Sequence, residues 1–472
     1  MSRSESELAL LPAFEQRRLA GEGEVSARDL VAAALARVEA LGPKLNAVVT
    51  LNPRALEDAA ELDEKKARGE ELGLLHGLPV GIKDVTEVAG LRTTYGSPLY
   101  ADNVPGEDAL VVERLRKAGA VILGKTNTPE FATGGNTFNE VFGRTRNPWN
   151  PDLSAGGSTG GGAAALATGQ IALAEGTDLG GSLRIPASFC GVVGLRPSPG
   201  FVPTWPSSFL WDSYQVTGGM ARSAEDLALM LQAVAGPSEK SPMHQPWTGR
   251  DLIAAVKNSE RDLRGKRLAF VADPVGIGID PEVEKTCRQA AFALVEAGIE
   301  VEEIQLDLRF AWDPFLALRG FWMLAQQHHR LADIEKMGAN LAGNIRRGQA
   351  TQGEALGQAE QVRSQLWSQF RTFFESWDLL LCPTLAVPPF SVEENYPHSV
   401  GGKPMATYID WVATTFVLSM TGLPVGSVPA GLDSRGLPCG LQILGPAFGE
   451  EKVLQAEHLV QRLRPLGWPP VV

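Results

Sequence analysis

The sequence predicts an α/β layered fold, and three observations carry that prediction. Short apolar runs alternate with longer segments of helical period. The alternation occurs in two separate series, one in each half of the chain. The composition is that of a folded enzyme, 44% hydrophobic and 21% charged, and its 51 glycines and 32 prolines mark many tight turns and close backbone approaches. At 472 residues the length permits either two domains or one unusually wide α/β domain.

Residues 6–42 read as two amphipathic helices within an N-terminal helical layer over 1–45. The second opens at Ser26, with Asp29 three residues on, in a capping-box pattern. Strand-like runs follow at 46–51, 78–82, 120–123 and 171–174, with helical patterns near 53–69, 107–118 and 160–169 between some of them. The second series comprises a run at 267–272, a helix over 281–297 and a run at 300–305, and two further strands are expected at 379–382 and 440–444. Between the series, residues 236–262 are polar and carry Pro237, Pro242 and Pro246, the pattern of a surface excursion. Residues 263–472 then form the C-terminal part, expected to complete the sheet and the pocket. No internal repeat or low-complexity tract interrupts the chain.

Charge and cysteine usage exclude several functions. The net charge is −12, and the basic stretch at 261–267 is mixed with acids, which disfavours a nucleic-acid reader. Cys190, Cys287, Cys382 and Cys439 are far apart and form no Cys-x-x-Cys or Cys/His pattern, so all four are expected as buried thiols without metal. Residues 1–7 lack a basic segment followed by an apolar run, so no secretory signal is expected. No stretch approaches the roughly 18 consecutive apolar residues that cross a bilayer. The expected location is the cytoplasm.

The chemistry concentrates in residues 154–200. There Gly156-Gly-Ser-Thr-Gly160 and Gly180-Gly-Ser182 make two glycine-framed turns, each presenting one serine. Glycine lets the backbone approach a ligand and adopt positive φ, so a run of free amides can aim at one point. In acyl transfer that point is the developing oxyanion. The bland alternatives are a packing turn feeding an alanine-rich helix at 156–162 and a helix N-cap at Ser182, a role compatible with nucleophilicity. The first turn also fits a Gly-x-Ser-x-Gly nucleophile elbow, but that elbow follows a buried strand, whereas Asn147-Pro-Trp-Asn-Pro-Asp152 is a proline-rich loop. A phosphate-binding loop fails as well, because no Lys-Ser/Thr follows the glycines.

A serine nucleophile needs a base. The six histidines, His76, His244, His328, His329, His398 and His458, stand in no motif, although a Ser-His-Asp arrangement stays open. Lysine is the other option where burial keeps it neutral. Lys83 closes an apolar run that begins at Leu78, and its alternative is a strand-end lysine reaching solvent.

Residues 74–200 resemble the amidase signature family. The family's Gly-Gly-Ser-Ser-Gly-Gly element is matched by Gly156-Gly-Ser-Thr-Gly-Gly161, and its Asp-x-Gly-Gly-Ser-x-Arg-x-Pro-Ala element by Asp178-Leu-Gly-Gly-Ser-Leu-Arg-Ile-Pro-Ala187. Gly81-Ile-Lys-Asp84 is similar to the family's lysine strand, and Gly124-Lys-Thr-Asn-Thr-Pro-Glu130 to the start of its substrate loop. The likeness extends through Gly219-Met-Ala-Arg-Ser-Ala-Glu-Asp226, Trp377-Asp-Leu-Leu-Leu-Cys-Pro-Thr384 and Gly422-Leu-Pro-Val-Gly-Ser-Val-Pro429, covering about 25–463. Thr159 stands where many relatives carry a second serine, and it keeps a hydroxyl there.

The resemblance implies one large α/β/α layered domain over 1–472, with 74–200 as its signature core and a mixed central sheet of about eleven strands flanked by helices. It implies an amidase in which Ser182 attacks the carbonyl and Ser158, on a cis peptide, relays the proton to neutral Lys83. The backbone amides of Leu179, Gly180, Gly181 and Ser182 are expected to hold the oxyanion, and Ala132, Thr133, Gly134, Gly135 and Ser158 to contact the substrate. Trp205, Phe209, Trp211, Phe310, Trp312 and Phe315 fall in the family's variable pocket regions, where they suit either an apolar or aryl acyl amide or ordinary core and lid packing. No cofactor, metal, nucleic acid or membrane is implied. The expected partner is a small-molecule amide, and a homodimer is left open. Two other readings remain: the A subunit of a glutamyl-tRNA amidotransferase, a glutaminase within a complex, and a silent scaffold or binding protein that keeps the fold. The presence of all three catalytic positions weighs against the second.

Overall fold

The computed structural model describes residues 4–247 and 249–472. Residues 1–3, which open the segment read for a secretory signal and the N-terminal layer, and residue 248, within the expected surface excursion, lie outside the described residues.

In chain order the strands are β1 Val48–Leu51, β2 Pro79–Lys83, β3 Val121–Thr126, β4 Phe138–Asn139, β5 Gly143–Arg144, β6 Leu173–Asp178, β7 Val193–Arg196 and β8 Val216–Ala221. They continue with β9 Arg267–Phe270, β10 Glu300–Glu303, β11 Leu379–Pro383, β12 Ser399–Val400, β13 Lys403–Pro404, β14 Val425–Leu432 and β15 Pro438–Leu444. Eleven of them form one sheet in the order β1-β3-β2-β6-β8-β7-β14-β15-β11-β9-β10, while β4/β5 and β12/β13 are separate hairpins. The sheet is mixed. β3, β2 and β6 run parallel, as do β11, β9 and β10, and the joints between are antiparallel. The expected α/β architecture with a mixed sheet of eleven strands and flanking helices is the one observed.

Helices cover both faces, so the central strands are buried throughout. β2, β6, β7, β8, β11 and β15 have no residue facing solvent. Such strands read as continuous apolar runs without alternation, which is why β2, β3 and β11 are legible as short hydrophobic stretches. β7, β8 and β14 were not expected. Gly218 and Gly219 in β8, and Gly426 and Pro429 in β14, lower strand propensity, and packing overrides it. At Gly218 a Cβ would sit 2.5 Å from the Leu195 carbonyl oxygen of β7, so the close approach of these strands requires glycine there.

The N-terminal layer has three helices where two were expected: Glu5–Leu10, Ala13–Glu22 and Ala27–Leu45. Pro12 separates the first two, and Gly23, in the left-handed region at φ 82°, ends the second. The expected capping box is present: Ser26 Oγ accepts the Asp29 N–H at 3.0 Å and Asp29 Oδ2 accepts the Ser26 N–H at 2.9 Å. Residues 236–262 are only partly a surface excursion. Helices Leu252–Lys257 and Ser259–Leu263 turn Leu252, Val256 and Leu263 into the main core. Three longer helices outside the sequence-based expectations, Trp312–Gln327, Ala339–Ala350 and Gly353–Phe373, pack Phe315, Trp322, Ile345 and Phe370 into a second core with Phe416, Leu179 and Ile185.

Two features of this frame position the site. The parallel neighbours β2 and β6 end at Lys83 and Asp178 on the same edge of the sheet, where ligands of open α/β sheets collect. The helix Gly160–Ala167, built only of glycine, alanine and one leucine, is buried along its whole length. Its small side chains let the turn before it press against β3 and β6.

Candidate active site

Lys83 is wholly buried at the end of β2. Its Nζ lies 2.7 Å from Ser158 Oγ, 3.0 Å from Thr177 Oγ1 and 3.5 Å from the Thr177 carbonyl oxygen. All of these partners are uncharged. An ammonium closed off from water is disfavoured, so burial lowers the amine to about 7, against the opposing pull of Glu175 and Asp178. A lysine of that kind can accept a proton from a hydroxyl near neutral pH.

Ser158 is also fully buried, and the Gly157–Ser158 peptide bond is cis. Ser182 is held beside it, because the Thr159 N–H donates to the Ser182 carbonyl oxygen at 3.2 Å. Unlike Lys83 and Ser158, Ser182 is partly exposed, so among the three it is the one a substrate can reach. No histidine hydrogen-bonds either serine among the described residues.

The turn that presents Ser182 is shaped by Asp178. Its Oδ1 accepts the Gly181 N–H at 2.8 Å and Arg184 Nη2–H at 3.0 Å, and its Oδ2 accepts the Leu183 N–H at 3.1 Å and Arg184 Nε–H at 3.0 Å. Burial alone would raise this carboxyl, but Arg184 and then Arg196 override it and hold it at about 2. Arg184 is anchored in turn by the Thr415 carbonyl, Gln442 Oε1 and Ser419 Oγ. Gly181 has φ 122°, and any Cβ there would strike the Thr415 side chain, so the position requires glycine. Of the four amides expected to hold the oxyanion, the Gly181 N–H donates to Asp178 Oδ1.

The loop after β3 contributes differently along its length. Ala132 lines a cavity of about 330 Å³ together with Phe131, Tyr95, Trp205, Trp322 and Thr177. Thr177, which hydrogen-bonds Lys83, is the link between this cavity and the lysine; Lys83, Ser158 and Ser182 are not among the lining residues. Tyr95, Phe131 and Ala132 all have left-handed backbones, at φ 53°, 44° and 56°. Three non-glycine residues in that region around one cavity mark a wall held in place by its surroundings. Tyr95 stacks on Phe131 with ring centroids 5.4 Å apart, Tyr100 meets both edge-on, and Arg330 lies over Tyr100 and Phe131. Thr133, Gly134 and Gly135 are buried behind this wall. A Cβ at Gly157 would lie 2.8 Å from the Gly134 carbonyl oxygen, and one at Gly135 would lie 2.7 Å from Trp411. Gly134 and Gly135 pack against the Ser158 turn, and of the expected substrate loop Ala132 is the residue that lines this cavity.

The expected aromatic residues also divide. Trp205 lines the cavity, Phe315 stacks on Phe416 at 4.2 Å beside Gly180, and Trp312 meets Phe416 edge-on. Phe209 packs edge-on to Phe321. Trp211 and Phe310 are exposed at the surface, Trp211 by 71%.

Residues 29–454 match the family model described as Amidase. The chain belongs to the amidase signature family. It is similar to an acylamidase of Rhodococcus erythropolis, 35% identical with 98% of this chain and 97% of the relative covered. It is equally similar to the A subunit of the glutamyl-tRNA(Gln) amidotransferase of Moorella thermoacetica, 35% identical with 97% of each covered. Among solved structures, a bacterial aryl acylamidase of the same family superimposes with a TM-score of 0.90 at 28% identity, covering 98% of this chain and 97% of that one.

This amidase is a hydrolase of carbon–nitrogen bonds in amides. Around Lys83 it assembles groups that were not singled out in the sequence: Thr177, Glu175, Thr86 and Lys125, all buried. Their signal was that Glu175 and Thr177 follow closely on the apolar run 171–174, and Lys125 on the run 120–123. The four cysteines are unpaired and buried, as expected. No helix among the described residues is long and apolar enough to cross a membrane.

Proposed function

We propose that the enzyme hydrolyses carboxylic amides with an apolar or aryl acyl group through an acyl-enzyme on Ser182. The observation that carries this reading is the 2.7 Å hydrogen bond between Lys83 Nζ and Ser158 Oγ, made by a lysine with no charged hydrogen-bond partner. As Ser182 Oγ attacks the carbonyl carbon, its proton passes to Ser158 Oγ while the Ser158 proton passes to the lone pair of Lys83 Nζ. The amides of Leu179, Gly180 and Ser182 stabilise the charge on the carbonyl oxygen. Lys83 then returns the proton through Ser158 to the leaving nitrogen, a step that amide cleavage needs because an amide anion leaves poorly. Water attacks the ester by the same route in reverse, giving carboxylate and regenerating Ser182.

The acyl preference rests on the aromatic wall of Tyr95, Phe131, Trp205 and Trp322. The relatives named an acylamidase and an aryl acylamidase support the same preference. We further infer one domain over 1–472 and a small-molecule partner in the cytoplasm. Hydrolysis of a panel of aliphatic, aryl and peptide amides by the purified chain tests the reading. Benzamides and aliphatic acyl amides are expected to turn over, and a chain that cleaves none of them contradicts it.

A second reading follows from the similarity to the amidotransferase component, in which the chain would release ammonia from glutamine within a complex. Copurification with partner chains and a requirement for them in turnover would favour it. Turnover of simple amides by the isolated chain opposes it.

A further inference from the structure

Behind Lys83 the fold buries more charge than the proton relay uses. Glu175 is wholly buried within β6, two residues before Thr177. Its Oε2 accepts the backbone N–H of Lys83 at 3.1 Å, and its Oε1 accepts the Thr86 hydroxyl at 3.0 Å. The carboxylate thus bridges the last residue of β2 and the turn that follows. The same turn is held from the other side by Lys125 of β3, also wholly buried, whose Nζ donates to the Thr86 carbonyl and, at 3.1 Å, to Thr93 Oγ1. Asp84, next to Lys83, is buried as well and accepts the N–H and the hydroxyl of Thr94.

Two lysines and three carboxylates, Glu175, Asp178 and Asp84, therefore share the buried ends of three adjacent strands. Isolated ions in such a place would each cost several kcal/mol, so an arrangement of this kind persists only when its charges and hydrogen bonds compensate one another. The charged groups acting on Lys83 are Glu175 and Asp178 from β6, with Lys125 on β3 and Asp84 in its own turn completing the cluster. Asp178 is committed to Arg184 and Arg196, and Asp84 to the Thr94 side. Glu175 alone is bonded to Lys83 itself, at its main chain.

We propose that Glu175 is a positioning residue for Lys83, clamping the turn that aims the amine at Ser158 and, through its charge, setting how readily that amine gives up its proton. This inference rests on the reading of Lys83 as base. Burial pushes the Glu175 carboxyl up, opposed by the Thr86 hydroxyl, Lys125 and the Lys83 N–H. In its ionised form it stabilises the ammonium, so Glu175 acts against the loss of the Lys83 proton, and its removal makes the neutral amine available at lower pH. The clamp and the charge are separable. Glu175→Gln keeps an acceptor and the side-chain shape but removes the charge. Glu175→Asp keeps the charge but withdraws the reach of the carboxylate.

The test is the pH profile of kcat and of kcat/KM for wild type, Glu175→Gln, Glu175→Asp and Lys83→Met on one amide substrate. The acid limb of Glu175→Gln is expected to move down by about one pH unit with KM unchanged, as for loss of a nearby opposite charge. Glu175→Asp is expected to keep the wild-type limb while its plateau kcat falls about tenfold, the loss expected of a misplaced relay. If Glu175→Gln does not fold, the Glu175→Asp profile decides alone. A limb unmoved or moved upward in Glu175→Gln, or an undiminished plateau in Glu175→Asp, overturns the proposal. Activity in Lys83→Met overturns the base reading and this proposal with it. An inactive Lys83→Met beside an unmoved Glu175→Gln limb removes only the role of Glu175.

Discussion

The backbone N–H of Gly181 donates to Asp178 Oδ1 at 2.8 Å, so the turn that carries Ser182 is tied to a carboxylate buried three residues upstream. That carboxylate is neutralised by Arg184, and the pair fixes where the remaining amides of the turn point. The proposed oxyanion amides thus sit on a turn held by a buried ion pair.

Asp178→Asn is expected to leave Arg184 and Arg196 buried without an anion and to destabilise the fold by about 3–5 kcal/mol. The folded carboxyl is held at about 2, below the ordinary aspartate value. Its contribution to stability is therefore complete above the unfolded value near 4 and is lost as pH falls through the folded one. Urea midpoints between pH 5 and pH 2 check this: wild type should lose its advantage over Asp178→Asn across that window.

Glu457 gives the opposite sign. On the helix Glu450–Leu463 it is wholly buried, and burial pushes its carboxyl well above the usual range, with only the Ser427 backbone opposing. Its neutral form favours the fold below the unfolded value near 4.5, and that advantage is lost as pH rises toward the folded value, by about 1.4 kcal/mol per pH unit. Glu457→Gln, which does not titrate, should be more stable than wild type at pH 7 and show a smaller gain at pH 4. An equal difference in melting temperature at both pH values contradicts this.

Lys83 must be neutral to accept a proton, and burial brings its amine to about 7. Activity is therefore expected to rise with pH across that region, with an alkaline-leaning plateau. Lys83→Met should be folded and lose several orders of magnitude in kcat. Stopped assays from pH 5 to 9 in both proteins check the limb and its owner.

Ala132 is the loop residue that faces the 330 Å³ cavity. Ala132→Phe should fill part of it and lower kcat/KM for aryl amides by at least about tenfold, while a small fluorophosphonate still labels the enzyme. Equal losses for aryl amide and probe would place the damage at the serines.

Much of the site was legible in the sequence for a physical reason. Glycine positions such as Gly157 and Gly181 are fixed by steric limits, so the two serine turns announce themselves. The strands β2, β3 and β11 showed as short apolar runs, whereas β8 and β14 hid behind their glycines and prolines. The commitment of the Gly181 amide to Asp178 was invisible, because one-dimensional spacing does not tell which amides of a turn point inward. Glu175 was equally hidden. A single glutamate in a buried run reads as a solvent-facing residue until Lys83 and Thr86 are seen to converge on it.

The central claim is that the acyl group passes through Ser182. Intact-protein mass spectrometry of the enzyme quenched during turnover of a slow aryl ester or amide, followed by peptide mapping, tests it most directly. The account predicts an added acyl mass on the peptide containing Ser182 that is absent in a folded, inactive Ser182→Ala. An adduct on Ser158, or one that survives in Ser182→Ala with turnover within about tenfold of wild type, contradicts it.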